Sequence, residues 1–341
     1  MKPRLLVLEL WGLGDLVIAT PFLRAAAETF AVTLLAKPYA QELRPRLWPA
    51  VEVVPFTAPW TAFRGKYQLW RWPWGEILRR GRELRAKEFD YAVSARWDPR
   101  DHLVLKIIGA RERLGFARLK SQRYLTQALT RPAPLAHRSE YWRVAGAALG
   151  LAWPPEPQVM AQPMVRPPVV FIHSGARLPL RVWPLDNVHA LVLALRQQGY
   201  TVQVACDADQ RDWWSARGEP AVCPHSVTEL LGCLDRAGVF IGNDSGPGHL
   251  AASCGLPTFT LFGPQLHEWF APLHPAAEVF EGRACPYKPC SDYCRFATPF
   301  CLWDVPVEEV RPRVERFLAQ HLPTPGAGDG AILETGLPGE R

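Results

Sequence analysis

No stretch of this 341-residue chain is both long and free of charge, so a membrane-spanning helix is not expected. No secretory leader is read at Met1-Lys2-Pro3-Arg4, which runs straight into a short strand-like segment, and the expected setting is the cytoplasm. Eight cysteines in that setting are expected as free thiols or metal ligands, not disulfides. Negative charge is also short: 33 Asp and Glu stand against 39 Lys and Arg, a net charge of +6. That balance suits an anionic partner, whether phosphate, nucleic acid or an anionic membrane face. No recognised nucleic-acid module accompanies it, so nucleic acid is not among the expected partners.

What is present is globular: 48% apolar and 21% charged residues exclude a disordered chain, and the length favours two domains over one. Arg4–Leu10 reads as a buried strand, Trp11–Asp15 as a glycine turn, and Leu16–Phe30 as one helix with Pro21 near its start. Strands at 32–36 and 51–55 continue a β-α-β-α-β rhythm, which argues for a parallel doubly wound sheet. A second alternation begins at Val169 and ends in a helix over 307–320. Between them residues 152–168 are rich in proline, including Pro154, Pro155, Pro157 and Pro163, and read as a linker. The expected organisation is therefore an α/β domain over 1–151, the linker, a second α/β domain over 169–321, and a disordered Gly/Pro-rich tail over 322–341.

Two glycine turns stand at the carboxyl ends of strands, where open α/β sheets bind ligands. The second, Asn243-Asp244-Ser245-Gly246-Pro247-Gly248, follows Val239–Ile241 and leads into a small-residue helix from His249. The first N–H groups of a helix lack intrahelical partners, and the helix dipole adds partial positive charge there. Gly246 and Gly248 would let a ligand approach the backbone. A strand-to-helix connection without a ligand accounts for the local pattern equally well. The first turn, Gly12-Leu13-Gly14-Asp15, puts an acid at a helix start, as a general base or as an ordinary N-terminal aspartate. It lacks the third glycine and the ribose-binding acid of a dinucleotide fingerprint. Arg181 precedes Trp183-Pro184, with Pro184 read as the first residue of a helix, and His173-Ser174-Gly175 ends a strand in small polar residues. Both segments are candidates to line an anion site, and both have the plainer reading of surface cation and structural hydrogen-bonder.

Cys285, Cys290, Cys294 and Cys301 form a C-x4-C-x3-C-x6-C block. It lacks the C-x2-C pairs of a zinc ribbon, so a metal there is a weak candidate beside a loop that packs small soft side chains. Residues 60–87 interleave Trp60, Phe63, Tyr67, Trp70, Trp72 and Trp74 with Arg64, Lys66 and Arg71, then run into a basic helix. That composition suits a membrane interface, a stacked ring ligand, or a lid on its own domain.

Taken in order, these blocks resemble glycosyltransferase family 9, the ADP-heptose:lipopolysaccharide heptosyltransferases. The resemblance rests on Gly12-Leu13-Gly14-Asp15 through Thr20-Pro21, His173-Ser174-Gly175 with Arg181-Val182-Trp183-Pro184, and Gly242–Ala251. Leu261-Phe262-Gly263-Pro264 and the cysteine block complete it, over about residues 4–318. Arg181 stands where the family usually has lysine, and Gln265 where threonine or serine is usual. The resemblance implies a GT-B fold, with acceptor on the first domain and nucleotide sugar on the second, and inverting transfer without metal or cofactor. It makes Asp15 the general base, with Gly12 and Gly14 forming the acceptor or anion loop beside it. It places the donor, a heptose on ADP by family label, at Ser174, Gly175, Arg181, Asp244, Ser245, Gly246, Gly248 and His249. The acceptor would be a lipid-linked or envelope glycan, met at the cytoplasmic face of the inner membrane with residues 60–87 in peripheral contact. Asp207-Ala208-Asp209 is the one D-x-D spacing, and it reads as a strand-to-helix loop. A GT-B sugar-nucleotide epimerase or hydrolase, and a non-catalytic nucleotide-sugar-binding protein, are the alternative readings.

Overall fold

The structure is a computed structural model describing residues 1–62, 67–152, 166–290 and 293–323. Phe63, Arg64 and Lys66, most of the proline-rich linker, and the tail from residue 324 lie outside the described residues.

The first half builds strands β1 (Arg4–Glu9), β2 (Ala31–Ala36), β3 (Glu52–Pro55), β4 (Tyr91–Ser94), β5 (Glu112–Gly115) and β6 (Gln127–Ala128). They form one parallel sheet in the order β3-β2-β1-β4-β5-β6. Its helices are α1 (Leu13–Ile18), α2 (Thr20–Thr29), α3 (Ala40–Leu47), α4 (Trp74–Arg85), α5 (Pro99–Ile108) and α6 (Arg138–Ala148). Side chains of β1 alternate between two cores. Leu5 and Val7 pack with α1, α2, α3 and α6, while Leu6 and Leu8 pack with α4 and α5. A sheet covered on both faces requires strands apolar on both sides, which is why β1 reads as an unbroken apolar run.

The second half repeats the plan. Strands β7 (Val169–His173), β8 (Thr201–Ala205), β9 (Ala221–Val222), β10 (Val239–Asn243), β11 (Thr258–Phe262) and β12 (Ala277–Glu281) form a parallel sheet ordered β12-β11-β10-β7-β8-β9. Its helices are α7 (Leu185–Gln197), α8 (Arg211–Ser215), α9 (Val227–Asp235), α10 (Gly246–Ser253), α11 (His267–Phe270), α12 (Phe300–Trp303) and α13 (Val307–His321). One apolar core serves this half alone, built on Trp183, Leu191, Phe259 and Phe317. The core around Leu5 and Phe22 instead continues through Leu230, Leu234, Leu250 and Ala251 of the second half.

Four local expectations are corrected. The helix expected over Leu16–Phe30 is two helices broken at Ala19, because Pro21 has no N–H to continue the ladder. Helix α1 begins at Leu13, so Gly14 and Asp15 belong to its first turn and not to a loop. Asn243 ends β10, and Gly246 and Gly248 lie inside α10, leaving Asp244-Ser245 as the connection. Pro184 caps α7 and is not its first residue. The weakly patterned elements β6, β12, α3, α11 and α12 carried no sequence expectation.

Each sheet has a switch point where chain order reverses. In the first it lies between β1 and β4, in the second between β7 and β10. Ligands of open α/β sheets bind in the crevices outside such points.

Candidate active site

Asp15 and Arg96 occupy the first switch point, one after β1 and the other after β4. The Asp15 carboxylate pairs with the Arg96 guanidinium through Oδ1 and accepts the Gly12 N–H through Oδ2 at 3.1 Å. It therefore closes the first turn of its own helix, as an N-terminal aspartate does. Each oxygen keeps a lone pair for a further proton donor. Arg96 is half-buried; desolvation opposes its charge, and Asp15, Glu9 and Asp101 together outweigh that, raising its pKa.

Glu9 and Asp101 were not singled out in the sequence. Glu9 is buried at the end of β1, and desolvation pushes its pKa up to about 8 against the pull of Arg96. Asp101 is buried on α5 and raised to about 6, again chiefly by desolvation. It accepts from Trp60 Nε1 at 3.1 Å and from Trp11 Nε1 and Ser94 Oγ at 3.4 Å. Three carboxyls thus share one half-buried guanidinium. Trp60 is consumed in this cluster, so its part in an exposed aromatic segment is corrected: Trp60 is buried and Trp72 half-buried against it.

At the second switch point Arg181 follows β7 and Asp244 follows β10. Arg181 Nη1 lies 3.1 Å from Asp244 Oδ2. Asp244 is buried, and desolvation raises its pKa against the nearby Arg181 cation. The Arg181 Nε and Ser245 Oγ are buried without hydrogen-bond partners. Ser245 caps α10 but its side chain makes no capping bond, so it leaves the first amides of that helix to other acceptors. His249 is buried and pushed down to about 4 by desolvation, with His137 adding to the effect, so the ring is neutral at pH 7.

Ser174 and Gly175 are placed differently. The Ser174 hydroxyl donates to Gln210 Oε1 at 2.8 Å and accepts from Trp214 Nε1 at 3.1 Å, within the fold. A Cβ on Gly175 would collide with the Asp207 carboxylate, 2.2 Å away, so that glycine makes room for Asp207. Asp207 caps a short turn through a capping box with Gln210 and lies 3.8 Å from His173 Nε2. Asn243 holds the β7 loop, accepting from Trp183 N at 3.1 Å and donating to Ser174 O at 2.8 Å.

The two switch points meet. Helix α1 packs on α10, start against start. A Cβ on Gly14 would lie 2.6 Å from His249 Cδ2, and one on Gly246 would lie 2.8 Å from Leu13 Cβ. These glycines serve helix-to-helix approach between the halves. Basic groups from both halves gather here: Lys37 after β2 and Arg138 at the start of α6 both interact with Asp15, and Arg177 after β7 lies near Lys37. Arg138 lies over four rings, Trp97 and Tyr141 of the first half and Trp269 and Phe270 of the second, at 4.2 to 5.4 Å. Burial lowers its pKa to about 10. His137 Nε2 bonds Ala271 O at 3.0 Å, and Trp269 Nε1 donates to Pro134 O at 2.7 Å, tying the same two loops together.

The four clustered cysteines are free thiols. Cys301 is buried, and its pKa is pushed up to about 11 by desolvation. Among the described residues no group of His, Cys, Asp and Glu is arranged to hold a metal. Gln265, buried beside them, donates to Cys290 O at 2.5 Å and so anchors this loop to the end of β11. A cavity of about 500 Å³ lies at the opposite, N-terminal edge of the first sheet, lined by Arg4, Glu52 and Lys87, remote from both switch points.

Two Rossmann-like halves with their switch points in apposition define a GT-B protein. Solved structures share the fold across nearly the whole chain. The heptosyltransferase WaaC of Escherichia coli with ADP is 17% identical with a TM-score of 0.71, covering 92% of this chain and 99% of its own. A glycosyl transferase family 9 protein from Veillonella parvula is 16% identical with a TM-score of 0.73, covering 94% and 98%. Lipopolysaccharide heptosyltransferase 3 of Escherichia coli K12 is 34% identical over 113 residues, 30% of this chain. That match spans a third of the curated relative's length. The model of glycosyltransferase family 9 (heptosyltransferase) matches residues 77–298, and the chain belongs to that family.

Proposed function

We propose that this chain is an inverting, metal-independent glycosyltransferase that moves a sugar onto a hydroxyl of a lipopolysaccharide-core or other envelope glycan. The donor in this reading is ADP-heptose; solved relatives are described with ADP and with ADP-2-deoxy-2-fluoro heptose. The observation that carries it is the apposition of Asp15 with Arg181 and the start of α10 across the junction of the halves.

In this mechanism Asp15 takes the proton of the acceptor hydroxyl as its oxygen bonds to the anomeric carbon, and the bond from that carbon to the diphosphate oxygen breaks on the opposite face. General base catalysis of this kind contributes roughly 10²–10⁴-fold. Negative charge gathers on the departing diphosphate. The first amides of α10 and the Arg181 guanidinium stabilise it, with Lys37 and Arg177 near by. Arg96 positions the Asp15 carboxylate. His249, neutral at pH 7, is suited to donate or accept one hydrogen bond without adding charge. Peripheral contact of residues 60–87 with the cytoplasmic face of the inner membrane belongs to the same reading. Among the described residues no helix is long and apolar enough to cross a membrane.

The test begins with a thermal-shift screen of ADP-, GDP- and UDP-sugars, followed by a product assay with the stabilising donor and a lipopolysaccharide-core acceptor. Asp15→Asn is expected to abolish transfer while donor stabilisation persists; near-wild-type turnover would remove Asp15 as base. Activity is expected to survive EDTA, and a complete loss restored by added metal would overturn the metal-free step. Turnover of donor with no acceptor present would point instead to an epimerase or hydrolase.

A further inference from the structure

Helices α4 and α5 lie side by side on the same face of the first sheet. Leu84 of α4 and Leu105 and Ile108 of α5 share one core with Leu6, Leu8 and Ala92. Their outward stripes therefore face the same way, on the side of the sheet opposite the α1 and α3 layer that meets the second half. Those stripes are unusually apolar. Trp70 is 77% exposed, Trp74 47% and Leu78 55%, at four-residue spacing through the turn before α4 into the helix. On α5, Leu103 and Ile107 are exposed at the same spacing.

The aromatic part is braced. Trp74 packs on Trp72 at 5.5 Å and Trp72 on Trp60 at 5.7 Å, while Trp74 Nε1 donates to Leu69 O at 2.8 Å. Charge around it is one-sided. Residues 67–124 contain fourteen Lys and Arg against seven Asp and Glu, an excess of seven in a chain whose whole net charge is +6. Arg71, Arg82, Arg85 and Lys106 are exposed among the apolar side chains. Glu83, one of the few acids there, is taken up by Arg79 and Arg80 at 3.0 and 2.8 Å.

We infer that the outward face of α4 and α5, with the turn before α4, docks on an anionic lipid bilayer. Indole rings held at a surface sit at the headgroup level, and long basic side chains reach past apolar contacts to lipid phosphates. Exposed indole and aliphatic side chains interleaved with exposed basic ones match an anionic bilayer, which offers apolar depth beneath a layer of phosphate charge. The face adjoins the candidate site: Trp60, at the root of the tryptophan ladder, donates to the same Asp101 that accepts from Trp11, two residues before Leu13 and α1. A lipid-anchored acceptor held at this face would present its glycan beside Asp15. The inference deepens the peripheral contact in the proposed function, and its test uses neither donor nor acceptor, so its failure leaves the transfer reaction standing.

The full chain would be sedimented with phosphatidylcholine vesicles, with and without phosphatidylglycerol. Binding is expected only to the anionic vesicles and should weaken as salt rises. Arg71→Gln/Arg82→Gln/Lys106→Gln should weaken partition by at least about tenfold, since each basic residue near an anionic surface contributes appreciably. Trp70→Ser/Trp74→Ser/Leu78→Ser should weaken it comparably, with circular dichroism and melting temperature unchanged for the charge variant. No partition, or partition equal in wild type and charge variant, would overturn the docking face. So would release by inorganic phosphate at matched ionic strength, which would indicate a small-anion site. Tight binding of single-stranded DNA without vesicle binding would reassign the face to nucleic acid.

Discussion

Glu9, Asp15 and Asp101 gather about the Arg96 guanidinium, and burial of Glu9 raises its pKa to about 8, with the neighbouring Asp15 and Asp101 adding to the rise against the pull of Arg96. In the fold Glu9 keeps its proton until about pH 8, whereas its ordinary value is 4.5. Between those values the native state binds more protons than the unfolded chain, so the Glu9 contribution to stability is lost as pH rises through that window. His249 and His137, both lowered to about 4 from 6.5, act with the opposite sign, and their contribution is lost as pH falls from 6.5 towards 4. From pH 6.5 to 8 the Glu9 effect therefore stands apart from theirs. Glu9→Gln should flatten the fall in melting temperature over that interval, by an amount on the order of 1–2 kcal/mol. Parallel curves for wild type and variant would show that Glu9 ionises normally. The same carboxyl explains a limit of sequence reading. Asp15 was legible because it follows Gly12-Leu13-Gly14, but Glu9 and Asp101 look like a strand-end acid and a helix acid, and only the β1–β4 switch brings them to Arg96. Arg138 was hidden for the same reason, since two of its four rings come from the other half of the chain.

At the scale of elements, α1 and α10 were legible as helix starts after strands, but not as partners. Gly14 and Gly246 read in sequence as turn glycines, because a glycine does not say what approaches it. In the fold the close neighbours are His249 and Leu13. Gly246→Ala and Gly14→Ala should each destabilise by about 1–3 kcal/mol, the usual penalty for overpacking, and read as a lowered melting temperature. Gly81→Ala is the counterpart. It lies inside α4, nothing stands within 4 Å of its added Cβ, and the helix should gain about 0.5–1 kcal/mol. If all three shifted stability alike, the α1–α10 contact would not be the tight one. Strands were the most readable elements, because burial on both sheet faces demands continuous apolar runs. The edge strands β6, two residues long, and β12, with one buried residue in five, do not meet that demand, and their sequences carried little signal. The break between α1 and α2 shows the converse: apolar spacing continues through Thr20, while the missing Pro21 amide decides where the helix ends.

The molecule as a whole is not two independent cores joined by a linker. The apolar cluster on the α1 side of the first sheet passes through α9 and α10 into the second half, and among the described residues the cluster around Trp183 and Phe259 is the one that belongs to the second half alone. Polar ties follow the same seam: Arg46 pairs with Asp235 at 2.6 Å, and Thr228 donates to Glu42 at 2.8 and 3.0 Å. The seam holds the Asp15 and Arg181 switch points in register, so its integrity should matter to both sheets at once. Leu250 is fully buried in the shared cluster and Leu191 is nearly so in the second. Each Leu→Ala change should cost about 2–5 kcal/mol. Their consequences should differ in place. Amide exchange should rise in strands of both sheets for Leu250→Ala, whereas for Leu191→Ala the increase should centre on β7, β8 and β10. Calorimetry should give one transition for the wild type. Two resolved transitions, with exchange in the first sheet unmoved by Leu250→Ala, would mean that the seam is a contact between independently stable domains and not a common core.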